Sequence, residues 1–394
     1  MKAAIIAGSR TPFVGANSAF AKLSAVDLGK EAVRDALARS GLPGFRVNHV
    51  VYGTVVSDTQ APNIAREVGL AVLPKSVPAV SVSRACASAN QAITGAAEMI
   101  EMGYADVVIA GGGESLSRIP ITASDRLSRS LVRAAKGKTL SRKIAAFRGL
   151  RPRDLVPITP AIAEPSTGET MGESAERMAK ENGISREDQD GWALRSHRLA
   201  AAGTRDGRLT QELVSVYVPP DYETVVSGDA GIRIDTSSEQ LAKLRPVFDR
   251  KFGSVTAGNS SPLTDGASAV VLMNGEKALA EGIEPLGWVR SWAWAGLDPS
   301  GQLLQGPAYA VPIALERAGL SMKDIGLMEM HEAFAAQVLS NLQALSSKSF
   351  AESELGHTAA VGHPDIERIN VMGGSIAIGH PFGATGARLT ITIL

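Results

Sequence analysis

The sequence predicts a layered α/β protein built from a repeated unit, and three observations carry that prediction. Short β-rich runs alternate with helix-period segments through residues 2–113. The alternation resumes after residue 273. The second series can also be laid over the first: WVRSWAWAG answers KAAIIAGSR, LMEM answers HVVYG, and INVMGGSIAIGHPFGATGA answers AVSVSRACASANQAITGA.

In chain order, KAAIIAG (2–8) is an apolar strand bounded by Ser9-Arg10-Thr11-Pro12. Residues 23–41 form a helix, because Leu23, Val26, Leu28, Val33, Ala36 and Leu37 recur near one face and Gly41 closes it ahead of Pro43. HVVYGTV (49–55) and PAVSVSR (78–84) are strands, ACASANQAITGAAEMIEMG (85–103) is a helix, and ADVVIAGGG (105–113) is a strand ending in glycines. From 114 to about 250 the texture turns charged and irregular, with a helical pair in ESAERMAKENGISREDQDGWALRSHRLAAAG, so an inserted domain is expected there. GWVRSWAWAG (287–296), a helix at 307–319, LMEMHEAFAAQ (327–337) and INVMGGSIAIGHPFGATGARL (369–389) restore the alternation. The sequence stops at Ile393-Leu394 before any counterpart of ADVVIAGGG, so strands of the second unit are expected to be missing.

Composition narrows the class. Of 394 residues, 44% are hydrophobic and 20% charged, and forty basic residues balance forty acidic ones, which argues against a nucleic-acid partner held by the whole field. One cysteine cannot form an internal disulfide, the N-terminal apolar run is too short for a signal peptide, and no run approaches the ~20 apolar residues of a membrane helix. A cytoplasmic protein is expected.

That cysteine, Cys86, lies in RACASAN (84–90) where a strand hands over to a helix, a place where free N–H groups and the helix dipole lower a thiol pKa. An isolated cysteine is more often a small buried side chain; alanines on both sides leave room for a substrate, which favours a nucleophile. A nucleophile needs a base. Of six histidines, His49 begins an apolar strand and His197 sits in a charged helix, both structural or solvated settings. His357 and His363 have loose spacing that suits a loop better than a metal. His380 lies among glycines in the repeat's equivalent of the cysteine segment, and His331 ends an apolar run at a strand-to-helix junction. His331-Glu332 begins a zincin-like string, but Ala335 stands where the second histidine is required, so no metal site is expected. GHPFGATGAR lacks the P-loop lysine and GGGES lacks dinucleotide spacing, so no nucleotide site follows.

Residues 124–153 carry Arg126, Arg129, Arg133, Lys136, Lys138, Arg142, Lys143, Arg148, Arg151 and Arg153, interleaved with Leu127, Leu131, Val132, Leu140, Ile144 and Phe147. This suits a basic amphipathic hairpin that meets lipid, a partner subunit or an acidic ligand, with a solvated charged loop as the alternative.

The ordered motifs RTPF (10–13), SRACASANQAI (83–93), AGGGES (110–115), TMGESAER (170–177), TAGNSSPLTDGASAVVLM (256–273), HEAFAAQ (331–337) and GGSIAIGHPFGATGAR (373–388) resemble a thiolase along almost the whole chain. HEAF in place of the commoner NEAF is similar to the branch containing the β-subunit of the trifunctional fatty-acid oxidation enzyme. The resemblance implies the thiolase fold, two similar βαβαβαββ halves in five layers: an N-terminal half at 1–275 with a loop domain inserted at 118–250, and a C-terminal half at 276–394. It implies thiolysis of 3-oxoacyl-CoA, or the reverse condensation, through an acyl-enzyme on Cys86 with His380 as base and His331 near the thioester oxygen. Ser261, Met171 and Gly379 match positions that bind substrate or coenzyme A, and Thr170 stands where many short-chain thiolases have histidine. Coenzyme A enters as substrate, with no resident cofactor.

The implied partners are acyl-CoA and CoA, a second copy in a homodimer or dimer of dimers, and a hydratase/dehydrogenase α-subunit. The family's second cysteine, in a C-terminal Cys-x-Gly segment, has no match in this sequence. Two alternatives stay open on the residues alone: a ketosynthase-like condensing enzyme using Cys86, His331 and His380, and a non-catalytic thiolase-fold subunit.

Overall fold

The structure is a computed structural model describing residues 2–158 and 163–394; residues 159–162, within the expected insertion, lie outside it. Strands β1 (Ala3–Arg10) and β2 (Val14–Gly15) lead into helix α1 (Ala25–Ser40). Ser24 and Asp27 form a capping box at the start of α1, and Gly41, with φ 68°, ends it. Next come β3 (His49–Gly53), α2 (Ile64–Val72), β4 (Ala79–Val82), α3 (Ser88–Glu101) and β5 (Val107–Glu114). The expected alternation of 2–113 is therefore present, with boundaries shifted by up to three residues and with α2 as an element the sequence reading did not include.

The inserted segment contains α4 (Asp125–Lys136), α5 (Leu140–Ala145), α6 (Met171–Glu181), α7 (Arg186–Arg205), the hairpin β6 (Val216–Val218) and β7 (Thr224–Val226), and α8 (Ser238–Ala242). After it come β8 (Thr264–Asn274), α9 (Gly275–Ala280), β9 (Gly287–Trp288), α10 (Gly306–Ala318), α11 (Ala335–Ser346), α12 (Lys348–Glu354), α13 (Ser375–Ile378) and α14 (Thr385–Ile393). No described helix is long and apolar enough to cross a membrane.

One sheet runs β4-β3-β5-β8-β1-β9, with β2 bonded to β8. β3 is parallel to β4 and β5, whereas β8 runs antiparallel to β5 and β1. β5 and β8 are buried along their full lengths, so their near-continuous apolar runs are those of central strands covered on both faces. Side-chain alternation divides the core. Ala4, Val50, Ile109 and Val271 pack against α1 and α2; Ile5, Val51, Val108 and Leu272 pack against α3 and Ala387 of α14.

The second unit differs from the expected copy of the first. Its described strand, β9, has two residues and joins the first unit's sheet. Residues 327–330 and 369–372, expected as strands, meet at a single parallel bridge between Met328 and Ile369. The physical reason lies in their partners. β3 is bonded on both sides, while these segments have each other, and Asn370 completes the pairing with side-chain bonds to the Met330 N–H and C=O at 2.7 and 2.9 Å.

Three buried groups bind these parts together. Arg10 donates to Glu212 at 2.6 Å and to both Asp229 oxygens at 2.7 and 2.9 Å, fastening the insertion to β1. Glu332 accepts from Trp192 and Ser196 of α7, from the Asn370 amide and from the Ile376 N–H, joining the insertion to the second unit. Glu114, at the end of β5, accepts from Thr54, Val55, Val56 and Gly383 at 2.9–3.1 Å.

The turn containing Gly383 lies so close to β5 that a Cβ on Gly112 would fall 1.9 Å from the Gly383 carbonyl oxygen. Gly112→Ala should therefore lower stability by at least about 1–3 kcal/mol, the usual cost of overpacking a rigid interior. Gly95 in α3 has nothing within 4 Å of its Cβ direction, and Gly95→Ala should raise stability by about 0.5–1 kcal/mol. Parallel thermal melts read both; equal shifts would show that the close approach at Gly112 is not a constraint.

Candidate active site

Cys86 sits in the turn between β4 and α3. Ser88 braces this turn, accepting from the Arg84 N–H at 2.8 Å and donating to the Ala85 carbonyl at 2.7 Å. Ala85 has φ 44°, a left-handed conformation that costs a non-glycine residue roughly 1–2 kcal/mol. The brace holds that conformation and presents Cys86 just ahead of the helix. Arg84 is fixed too, its guanidinium 4.2 Å from the Trp294 ring centroid and its Nε donating to Gln91.

His380 precedes α14 as Cys86 precedes α3, and the two helices lie side by side at a glycine: a Cβ on Gly386 would fall 2.0 Å from Asn90 Oδ1. Their N-terminal ends therefore converge. His380 Nε2 lies 3.1 Å from Cys86 Sγ, and its Nδ1 lies 2.7 Å from Thr385 Oγ1. The His331 and His380 ring centroids are 4.0 Å apart. His331 Nδ1 is 2.8 Å from Ser375 Oγ, while its buried Nε2 has no hydrogen-bond partner among the described residues. Ligating atoms of Cys86, His331 and His380 all lie within 4.8 Å of one another, a spacing that also suits a thiophilic cation. Within it, Sγ and the His380 Nε2 already face each other across a hydrogen bond.

The electrostatics correct one expectation. Helix placement was expected to lower the Cys86 pKa, but burial, reinforced by the Glu114 carboxyl, pushes the thiol up to about 12. Burial also pulls His331 down to about 3, aided by the Arg388 guanidinium. His380 is held well below its ordinary value by burial, then by His331 and Arg388. At neutral pH the pair is thus a thiol facing a neutral imidazole, and a proton must move before sulfur can attack.

The other positions separate. Gly379 has φ 116°, and its Cβ would fall 2.7 Å from Thr264 Cγ2, so backbone geometry demands glycine just before His380. Ser261 is half-buried and donates its N–H to the Ala333 carbonyl two residues beyond His331. Met171 opens α6, and Thr170 caps that helix in a capping box with Glu173. His197, expected to be structural or solvated, is buried, accepts from the Arg233 N–H and is pulled by burial to about 4. His357 and His363 are exposed. The sequence reading passes over Glu114, Ser375, Thr385 and Arg388, and weighs Glu332 only as part of a zincin-like string. Ser375, Thr385 and Arg388 could have been found as the isolated polar residues of an otherwise small and apolar run, 373–388.

Fold and cluster together define the class: an α/β protein that opposes a cysteine and a histidine across two parallel-lying helix starts. The family model described as the thiolase N-terminal domain matches residues 3–276, and that of the thiolase C-terminal domain matches 283–394. A 3-ketoacyl-CoA thiolase of Yersinia pestis (strain Pestoides F) is 51% identical over 386 residues, covering 98% of this chain and 88% of that protein. Among solved structures, a Bacillus anthracis acetyl-CoA acetyltransferase superposes with TM-score 0.83 at 32% identity, covering 99% of this chain and 91% of that one. Human mitochondrial 3-ketoacyl-CoA thiolase gives TM-score 0.83 at 31% identity, covering 100% and 91%. The chain belongs to the thiolase family. The C-terminal match runs to residue 394 and lends no support to the expectation of missing strands.

The raised thiol pKa has a measurable consequence. Alkylation of Cys86 by iodoacetamide should quicken about tenfold per pH unit through and beyond the ordinary thiol range near ~8.5. A rate already at its plateau near neutral pH would indicate a preformed thiolate–imidazolium pair and contradict the neutral one.

Proposed function

We propose that this chain is a 3-ketoacyl-CoA thiolase, an acetyl-CoA C-acyltransferase of fatty-acid β-oxidation. The observation that carries the mechanism is the 3.1 Å approach of His380 Nε2 to Cys86 Sγ. His380 takes the thiol proton as the sulfur attacks the 3-keto carbon of 3-oxoacyl-CoA. The C2–C3 bond then breaks; its electron pair stays on the departing acetyl-CoA as an enolate, whose carbon takes up the proton that His380 had received and so returns the imidazole to its neutral form, and the shortened acyl group remains as a thioester on Cys86. Coenzyme A gives its thiol proton to His380 and attacks the thioester, releasing acyl-CoA and restoring Cys86. His331, with Nε2 unpartnered beside the pair, donates to the oxygen on which charge develops. Ser261, Met171 and Gly379 belong to the substrate and coenzyme A path in this proposal. So do the division of the chain into halves at 1–275 and 276–394, with 118–250 inserted, and an assembly of two or more copies.

Cys86→Ser should yield no acyl adduct by intact mass after exposure to acyl-CoA, whereas the parent chain should. His380→Ala should slow acylation by about 10²–10⁴-fold, the usual worth of a positioned general base. His331→Asn should be milder, since an amide can still donate. An unreactive Cys86 in the folded protein would defeat the proposal, and equal, complete loss in both histidine variants would defeat the division of roles.

The histidine in HEAF supports placing the chain in the trifunctional branch, with a hydratase/dehydrogenase α-subunit as partner. For the basic segment we propose contact with an anionic membrane face. α4 and α5 form a hairpin on which Leu131, Val132, Leu140 and Ile144 are exposed beside Arg126, Arg129, Arg133, Arg142 and Lys143. Arg126 has Asp154 at 3.8 Å and Arg129 has Asp125 at 3.6 Å; both are loose pairs that leave the hairpin basic.

Each basic side chain near such a surface contributes about 1 kcal/mol within a Debye length of ~10 Å. Co-sedimentation with vesicles containing phosphatidylserine should fall steeply with salt and be lost when the hairpin arginines become glutamine. Binding indifferent to salt, or to neutral vesicles alone, would overturn the membrane proposal.

A further inference from the structure

His331 and His380 are neighbouring rings of the same chemical type, yet the mechanism above asks one to donate through Nε2 and the other to accept through it. With both rings neutral, each carries a single N–H, and its position decides the role. The partners of the two Nδ1 atoms settle where that hydrogen lies.

Arg388 can only donate, and its Nη2 lies 2.9 Å from Ser375 Oγ. Ser375 Oγ thus accepts from the guanidinium and has one hydrogen left to give. Its other hydrogen-bond neighbour is His331 Nδ1, at 2.8 Å. The hydroxyl hydrogen goes to that nitrogen, Nδ1 is an acceptor, and the ring hydrogen stands on Nε2, the buried atom with no partner among the described residues. Were Nδ1 to carry the hydrogen, Ser375 would accept twice and the hydroxyl hydrogen of this fully buried residue would have no acceptor among the described residues.

Thr385 is arranged the other way. Its Oγ1 has a backbone acceptor, the Pro381 carbonyl at 3.3 Å, so the hydroxyl hydrogen has a destination other than the ring. Thr385 Oγ1 then accepts from His380 Nδ1–H at 2.7 Å, leaving Nε2 with a free lone pair directed at Cys86 Sγ.

We propose that Ser375, backed by Arg388, and Thr385 are positioning residues that hold the two histidines in opposite tautomers, Nε2–H on His331 and Nδ1–H on His380. Arg388 is itself held by Glu329, 3.3 Å from its Nη1, so the relay is anchored at both ends. Only the purpose of this arrangement, a donor for a substrate oxygen beside a base for the thiol, rests on the thiolase mechanism; the tautomers do not depend on it.

The test is ¹⁵N NMR of protein labelled in its histidines, with the His331 signals assigned by their loss in His331→Asn. The whole unmodified chain should show His331 protonated at Nε2 and His380 at Nδ1. In Ser375→Ala, His331 should lose its single tautomer and kcat should fall about 10–100-fold with KM little changed, the usual effect of removing a group that orients a reacting side chain. Ser375→Thr, which keeps the hydroxyl, should restore both readouts.

A His331 protonated at Nδ1 in the parent protein would overturn the proposal without any variant. It would equally be overturned by an unchanged tautomer in Ser375→Ala, or by Ser375→Thr behaving as the alanine variant does. If the tautomers are as stated but Cys86 takes up no acyl group, the thiolase mechanism fails and the proton arrangement stands. If the acyl group forms and the tautomers are reversed, the present proposal alone fails.

Discussion

The site depends on one buried carboxylate. Glu114 ends the central strand β5, and its two oxygens accept four hydrogen bonds, three from the 54–56 loop of the first unit and one from Gly383 in the turn that follows His380. That joint, together with a parallel bridge between Leu263 and His380 beside β8, fixes the histidine turn against the sheet that carries the cysteine turn. Burial raises the Glu114 pKa, the mark of a group desolvated to serve as a joint. The same carboxyl raises the Cys86 pKa, so the group that brings the histidine close also makes a base necessary.

That coupling explains why local reasoning about Cys86 misjudged its charge. A helix N-terminus lowers a thiol pKa by a modest electrostatic contribution confined to the first turn. Removal from water and a nearby carboxyl act on the same thiolate in the opposite direction, and here they prevail. Neither is legible from RACASAN, because both come from residues 28 or more positions away or from the packing itself. The small side chains at 85, 87 and 89 speak of room for a substrate and are silent about dielectric.

Elements specified by their own residues were legible. α1 was predicted at 23–41 and is found at Ala25–Ser40, since its apolar face, its capping box and its closing glycine are all local. Cys86 and His380 could be selected for their small-residue settings and His331 for its place at the end of an apolar run, each at an element boundary, and the structure brings the three together. What stayed hidden depends on pairing. Residues 327–330 and 369–372 have the composition of strands, but a strand exists only through its neighbours, and theirs amount to one bridge and the side chain of Asn370. Glu332 looked like the second letter of a zinc motif; its four recorded donors, from α7, Asn370 and Ile376, make it a structural hub instead.

The cost of the arrangement is visible in its buried charges. Arg388 and Glu329 are both withdrawn from water; burial lowers the first, and it raises the second to about 8 even though the guanidinium opposes the shift. A 3.3 Å contact does not compensate fully for desolvating two ions, and apolar side chains of similar volume would often serve stability as well or better. What apolar side chains could not do is donate to the Ser375 oxygen. The unpartnered Arg388 Nε and His331 Nε2 lie in the same small region, so polar groups go unsatisfied close to where two histidines must differ in their protons. Stability is given up where the fold departs from local consistency, and that departure coincides with the cysteine–histidine cluster.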